Sequence, residues 1–247
     1  PVRLRFLNAA NARILNFELS GGVMMKVICL DGSPCESFDT NRITLGPAQR
    51  VDVLIEDASQ LVELLEVSSS KALNAAIFEP ISSKLTSVKN SLSTEPYYSW
   101  PDTKNAKKID LHMQGGAMGN LSKATFEGEE RGLRDLALKE AKLWAFNGNI
   151  GGYGLSLAEI EIGEVVVIKA WNDTAWPHAM HLHGHHFWVD SSEFGEKKRA
   201  LLRDTYLMQP GEKAELVFIA NNPGAWLFHC HMLEHHAAGM GGVIYIS

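Results

Sequence analysis

Histidine is unevenly distributed along this chain. Of 10 in all, nine (His178, His181, His183, His185, His186, His229, His231, His235 and His236) fall between positions 178 and 236, and only His112 stands apart. Imidazole gathered this densely points to metal, for which neutral histidine is the commonest ligand. The run His229-Cys230-His231-Met232-Leu233-Glu234-His235-His236-Ala237-Ala238-Gly239-Met240 has the most specific spacing. On a strand successive side chains face opposite ways, so His229 and His231 share one face and Cys230 takes the other. His235 and Met240 follow Cys230 at intervals of five residues. A thiolate, an imidazole and a weak thioether are three of the four groups of a blue-copper site.

A second motif, Trp176-Pro177-His178-Ala179-Met180-His181-Leu182-His183-Gly184, supplies the missing imidazole. His181 and His183 share a face and can join His229 and His231 around a second centre, whereas His178 has the opposite strand parity. The allocation that follows is His178, Cys230, His235 and Met240 for a mononuclear copper, with His181, His183, His229 and His231 for a neighbouring cluster. Zinc is the competing metal for Cys/His sets, but structural zinc sites use paired cysteines at short spacing. The three cysteines here, Cys29, Cys35 and Cys230, are not so arranged.

The elements that must position these groups read as strands. Residues 1–67 alternate in Val2 to Leu7, Val23 to Leu30 and Arg50 to Ile55, with Asp31-Gly32 as a turn. From about Ser68 to Gly119 the composition turns polar and reads as a surface connection. Residues 128–143 are the best helix candidate, short and peripheral. Strand patterns return at Glu164 to Trp171, His181 to Val189, Ala214 to Ala220, Trp226 to His231 and Gly242 to Ile246. Many short strands separated by Gly, Pro and Asn turns indicate an all-β chain of Greek-key β-sandwich domains.

Composition narrows the function classes. In 247 residues, 23 Lys and Arg stand against 29 Asp and Glu, and no run of either sign is long. That argues against a nucleic-acid or membrane-surface binder. The longest apolar runs fall far short of the roughly 20 residues of a membrane span. The chain opens on a strand-like Pro1-Val2-Arg3-Leu4 with no leader before it, as expected of a mature or truncated piece.

At its histidine motifs the chain resembles the multicopper oxidases, laccase-like enzymes built from cupredoxin domains. His178 to His183 matches the family's His-x-x-His-x-His signature, and His229 to Met240 matches His-Cys-His-x3-His-x4-Met. The likeness extends to Leu7-Asn8-Ala9-Ala10-Asn11-Ala12-Arg13, Leu30-Asp31-Gly32, Gln49-Arg50-Val51-Asp52-Val53, Trp144-Ala145-Phe146-Asn147-Gly148, Asn172-Asp173-Thr174, Arg203-Asp204-Thr205 and Asn222-Pro223-Gly224-Ala225-Trp226. Met240 and Leu233-Glu234-His235 look like bacterial periplasmic members, implying a periplasmic or secreted protein. The resemblance implies type 1 copper on His178, Cys230, His235 and Met240, type 2 copper on His181, and a type 3 pair on His183, His229 and His231. Electrons from a phenolic or metal-ion reductant would pass from Cys230 to its neighbours His229 and His231, and dioxygen would be reduced to water.

A complete three-domain member has four further histidines in two N-terminal His-x-His motifs, and none occurs here before His181. The resemblance therefore implies the C-terminal part of such an enzyme. Residues 1–75 would be part of a middle cupredoxin-like domain, 76–140 a linker and 141–247 the C-terminal domain. The competing function is a truncated type 1 blue-copper electron-transfer or copper-binding module, with the remaining cluster ligands supplied, if at all, by the missing N-terminal domain as a separate chain. Where bacterial relatives often carry a proton-delivering glutamate after the second type 1 histidine, this chain has His236. His185 is expected to orient its strand, His112 to be a loop residue, Glu234 to be a rim or solvated carboxylate, and Cys29 and Cys35 to bridge a hairpin only if their Cα separation allows.

Overall fold

A computed structural model describes residues 1–56, 59–80, 93–191 and 201–247. They form two compact units, Pro1–Ser99 and Trp100–Ser247. The first contains β1 (Val2–Leu7), β2 (Leu15–Leu19), β3 (Met25–Leu30), β4 (Ser33–Thr40), β5 (Arg42–Leu45), β6 (Arg50–Ile55), β7 (Val62–Glu66) and β8 (Leu73–Phe78). They make two four-stranded sheets, ordered β1-β6-β3-β4 and β5-β2-β7-β8. Alternate residues Leu45, Ile43, Val51, Val53, Ile55, Val62 and Leu64 are buried, which is the period-2 pattern that closes a sheet over a core. Asp31 and Gly32, with φ of 47° and 89°, join β3 to β4 in a tight hairpin. The cross-strand partner of Cys29 is Pro34, one place short of Cys35, and the two buried cysteines do not form a disulfide.

The second unit contains β9 (Lys107–Gly115), β10 (Lys123–Phe126), β11 (Glu129–Gly132), α1 (Leu133–Glu140), β12 (Trp144–Phe146), β13 (Asn149–Ile150), β14 (Ser156–Ile160), β15 (Val165–Asn172), β16 (His178–Leu182), β17 (Phe187–Ser191), β18 (Leu201–Arg203), β19 (Thr205–Met208), β20 (Lys213–Ile219), β21 (Gly224–Cys230), α2 (Leu233–Ala237) and β22 (Gly241–Ile246). One sheet runs β11-β10-β13-β12-β9-β15-β20-β17-β18 and the other β14-β22-β21-β16-β19. β9 with β15 and β14 with β22 are parallel pairs in otherwise largely antiparallel sheets, as crossing connections between two layers produce. Val166, Ile168, Ala170, Leu216 and Phe218 of the first sheet and Met180, Leu182, Phe228 and Ile244 of the second are buried. Among the described residues the architecture is a cupredoxin-like all-β fold with few, short helices.

Three local expectations change. The run 181–189 is not one strand: Gly184, at φ 73°, turns the chain between β16 and β17, which lie in different sheets. The Trp226 ring packs against that glycine, where a Cβ would come within 2.5 Å of it. The helix proposed over 128–143 is confined to Leu133–Glu140. Ahead of it Glu127 and Gly128, at φ 52° and 83°, form a hairpin turn that commits 129–132 to strand. Within the polar stretch read as surface connection, β8 and β9 are strands, β9 burying Ile109, Leu111 and Met113 on alternate positions. Among the described residues no helix is long and apolar enough to cross a membrane.

Candidate metal centre

The site is built on the antiparallel pair β16 and β21, in which Met180 lies opposite Cys230 and His181 opposite His229. Directly opposed residues share a face, so His181 and His229 go to one side of the sheet and Cys230 to the other. His178, two residues from Met180, lies on the Cys230 side. After Cys230 the chain turns into α2, where the His235 and His236 amides donate to the Met232 carbonyl. The Met240 amide then donates to the His235 carbonyl at 3.0 Å, and the Cys230 amide to the Met240 carbonyl at 3.0 Å. These bonds fold His235 and Met240 back over Cys230.

The Cys230 Sγ lies 3.7 Å from Nδ1 of His178 and 3.7 Å from Nδ1 of His235, and the two Nδ1 atoms are 3.0 Å apart. An ion about 2.0 Å from each nitrogen and about 2.3 Å from a thiolate sulfur spans a triangle of this size. Cys230, His178 and Met240 are completely buried. Burial pushes the Cys230 thiol up to about 12 and holds His178 well below the usual 6.5, with His235 adding to the latter. His235 is also lowered by burial. The metal-free centre is therefore neutral, and a cation seated there compensates the proton that the thiol must release. Two imidazoles and a thiolate beside a buried methionine are a donor set suited to copper. Trp144 packs on both imidazoles, with ring centroids 4.9 Å from His178 and 4.6 Å from His235.

On the opposite face His181 lies 4.9 Å from His183, 5.8 Å from His229 and 5.7 Å from His231, ring to ring. The His181 Nδ1–H donates to the Asp204 carbonyl at 2.8 Å and the His229 Nδ1–H to the Cys230 carbonyl at 2.9 Å. Each ring thus keeps a bare Nε2, and that of His229 is 3.1 Å from Nε2 of His183. Burial lowers His181 to about 4 and His229 to about 3. The four imidazoles come together, yet among the described residues only His178, Cys230 and His235 form a set of three donors mutually within 4.8 Å.

The remaining histidines are placed as follows. His185 is buried between Phe218 and Trp226. His186 approaches Asp204 at 4.0 Å. His236 packs on His229 at 4.7 Å and edge-on to Tyr153 at 5.9 Å. His112 lies in strand β9 rather than in a loop; it stacks on Trp171 at 4.3 Å and bonds Asp173 at 2.9 Å, beside a cavity of about 550 Å³. Glu234 is exposed. Sequence reasoning gave no role to Trp144 or to Asn172 and Thr174, although the Asn172-Asp173-Thr174 run just ahead of His178 was their signal.

Two family models, each described as multicopper oxidase, match residues 1–62 and 128–247. The multicopper oxidase mco of Staphylococcus haemolyticus is 28% identical over 250 residues, covering 100% of this chain and 48% of its own length. The multicopper oxidase MmcO of Mycobacterium tuberculosis is 26% identical over 245 residues, covering 97% of this chain and 45% of its own. Among solved structures, the laccase-like multi-copper oxidase CueO of Ochrobactrum sp. superposes with a TM-score of 0.77 at 23% identity, covering 100% of this chain and 55% of that one. A multicopper oxidase from Campylobacter jejuni does so at 0.73 and 23% identity, covering 99% and 53%. This chain thus spans about half the length of the proteins it resembles. With both family models on its two units and a His/Cys/His donor set where β16 meets β21, the chain belongs to the multicopper oxidase family.

Proposed function

We propose that this chain is the type 1 copper module of a multicopper oxidase, accepting single electrons from a small reductant and handing them on. The observation that carries the reading is the triangle of Cys230 Sγ and the two Nδ1 atoms of His178 and His235, with edges of 3.7, 3.7 and 3.0 Å. We assign Met240, buried on the same segment, as the fourth group that would hold the copper. We also assign residues 141–247, within the unit Trp100–Ser247, to a C-terminal cupredoxin domain and 1–75, within the unit Pro1–Ser99, to part of a middle one. Copper bound there would supply a one-electron carrier. Cys230 and His178 exclude water through their burial, and Trp144 holds both imidazoles by contact. Cys230 would release its proton on holding such a cation.

A second reading concerns the longer protein: a laccase-like oxidase that couples oxidation of phenols or metal ions to reduction of dioxygen to water. It is favoured by the bare Nε2 atoms of His181 and His229, each fixed by a carbonyl on the other ring nitrogen. With His183 and His231 they would supply half of a trinuclear copper cluster. The rest would come from an N-terminal domain, in the same chain or another. Kinship with bacterial oxidases supports a periplasmic or secreted location.

Metal analysis with a visible absorption spectrum separates the readings. About one copper per chain, blue and without oxygen consumption, is expected for the module. Four coppers with oxygen turnover would support the oxidase for this chain together with a partner. Colourless, zinc-loaded protein would sink both.

A further inference from the structure

We infer that Thr174, held in turn by Asn172, is a positioning residue that fixes His178 as its Nε2–H tautomer and so keeps Nδ1 a bare donor facing Cys230 and His235. The inference rests on the copper reading only for which ion Nδ1 would meet. Its geometry is independent of any metal.

The count of available protons decides the tautomer. Thr174 Oγ1 lies 2.9 Å from His178 Nε2. The hydroxyl has one proton; Asn172 Oδ1 at 2.7 Å and the Trp176 carbonyl at 3.1 Å can only accept it, while the Trp176 amide, at 3.2 Å, donates to the hydroxyl oxygen. The orientation of Asn172 is fixed independently: its Nδ2 donates to the carbonyls of Trp176 at 2.8 Å and Gln209 at 2.9 Å, which turns Oδ1 toward Thr174. The Thr174 amide, 3.2 Å from Oδ1, reinforces that choice. The hydroxyl proton therefore points away from His178, and an oxygen lone pair meets Nε2, which must carry the hydrogen. The opposite tautomer would set two lone pairs against each other at 2.9 Å and put a proton on Nδ1, in the space between His178 and Cys230.

Water cannot substitute for the hydroxyl. Asn172 and His178 have no exposed surface and Thr174 is 7% exposed. A ligand imidazole whose second nitrogen donates to a fixed acceptor is both oriented and made a stronger donor. The spacing Asn172-x-Thr174-x3-His178 places this acceptor in the turn directly before β16, so the same segment that delivers the ligand sets its protonation.

Long-range proton–nitrogen NMR of the imidazoles in the metal-free chain tests this directly. The proton of His178 is expected on Nε2 in the native chain and in Thr174→Ser. Thr174→Val is expected to lose that preference, to bind copper(II) about 10-fold or more weakly, and to raise the reduction potential of the copper-loaded site, with Thr174→Ser restoring all three. A native spectrum with the proton on Nδ1 overturns the inference whether or not Thr174→Val folds. A folded Thr174→Val with native tautomer and native copper affinity also overturns it. Failure of the copper reading looks different: zinc-loaded or colourless protein whose His178 still carries its proton on Nε2.

Discussion

His229 donates its Nδ1–H to the carbonyl oxygen of Cys230 at 2.9 Å. An imidazole on one face of β21 is therefore steered by the peptide group of the residue whose thiol works on the other face. A shift of Cys230 is transmitted to His229 by geometry alone, and the two faces cannot be adjusted independently.

Metal affinity should rise with pH about tenfold per unit between roughly pH 7 and 9. The sign follows from proton release: the Cys230 thiol, pushed up to about 12, must be displaced by the ion, whereas His178 and His235, held below 6.5, are already neutral. Competition against a chelator at several pH values measures the slope. Cys230→Ser should flatten it.

The metal-free chain should lose stability in acid ahead of ordinary carboxylate titration. His181 and His229 are lowered in the folded state to about 4 and about 3 from 6.5. The unfolded chain binds their protons first, so this stability is present above pH 6.5 and is lost as pH falls toward those values. Every tenfold difference in proton affinity between the folded and unfolded chain corresponds to about 1.4 kcal/mol. Urea midpoints at neutral and mildly acid pH should fall steeply in the native chain and less steeply in His181→Gln.

Trp144 should report on the centre it covers. It is 5% exposed, and its ring lies 4.9 Å from that of His178 and 4.6 Å from that of His235. Removing it in Trp144→Ala should cost about 3–5 kcal/mol through the cavity left behind, while Trp144→Phe should cost less. Copper(II) should quench indole fluorescence in the native chain, and Trp144→Phe should remove the largest share of that quenching.

In the first unit, Asn8 is 1% exposed and joins three backbone groups: its Nδ2 donates to the carbonyls of Arg13 and Leu45, and its Oδ1 accepts from the Ala10 amide. Asn8→Ala strands these groups and should destabilise the protein by roughly 1–3 kcal/mol. Denaturant unfolding of the two proteins side by side checks this.

The division of the histidines between two faces was legible because chelating side chains have a fixed spacing and strand parity is rigid. The same rigidity misled at Gly184. Alternation continues through His181 to Val189 as if one strand ran across a turn that only the glycine betrays. β9 was hidden because Ile109, Leu111 and Met113 alternate inside a stretch whose average composition is polar. The Thr174 bond to His178 depends on where one hydroxyl proton points, and that is settled by an Asn172 side chain anchored on the carbonyls of Trp176, just before β16, and Gln209, just after β19. Sequence spacing does not encode that partnership.

The closure of the Cys230 to Met240 segment by its own backbone bonds bears on how such a centre could be moved between proteins. Cys230, His235 and Met240 lie on one stretch whose ends are already hydrogen-bonded to each other, so little loop-closure entropy is left to lose when they converge. Only His178 must be recruited from outside the segment, from the neighbouring strand β16. The segment is in effect a cassette, whose transplantation requires a host β-hairpin and a single well-placed imidazole. Insertion of one residue between His235 and Met240 would undo it by breaking the register of both bonds.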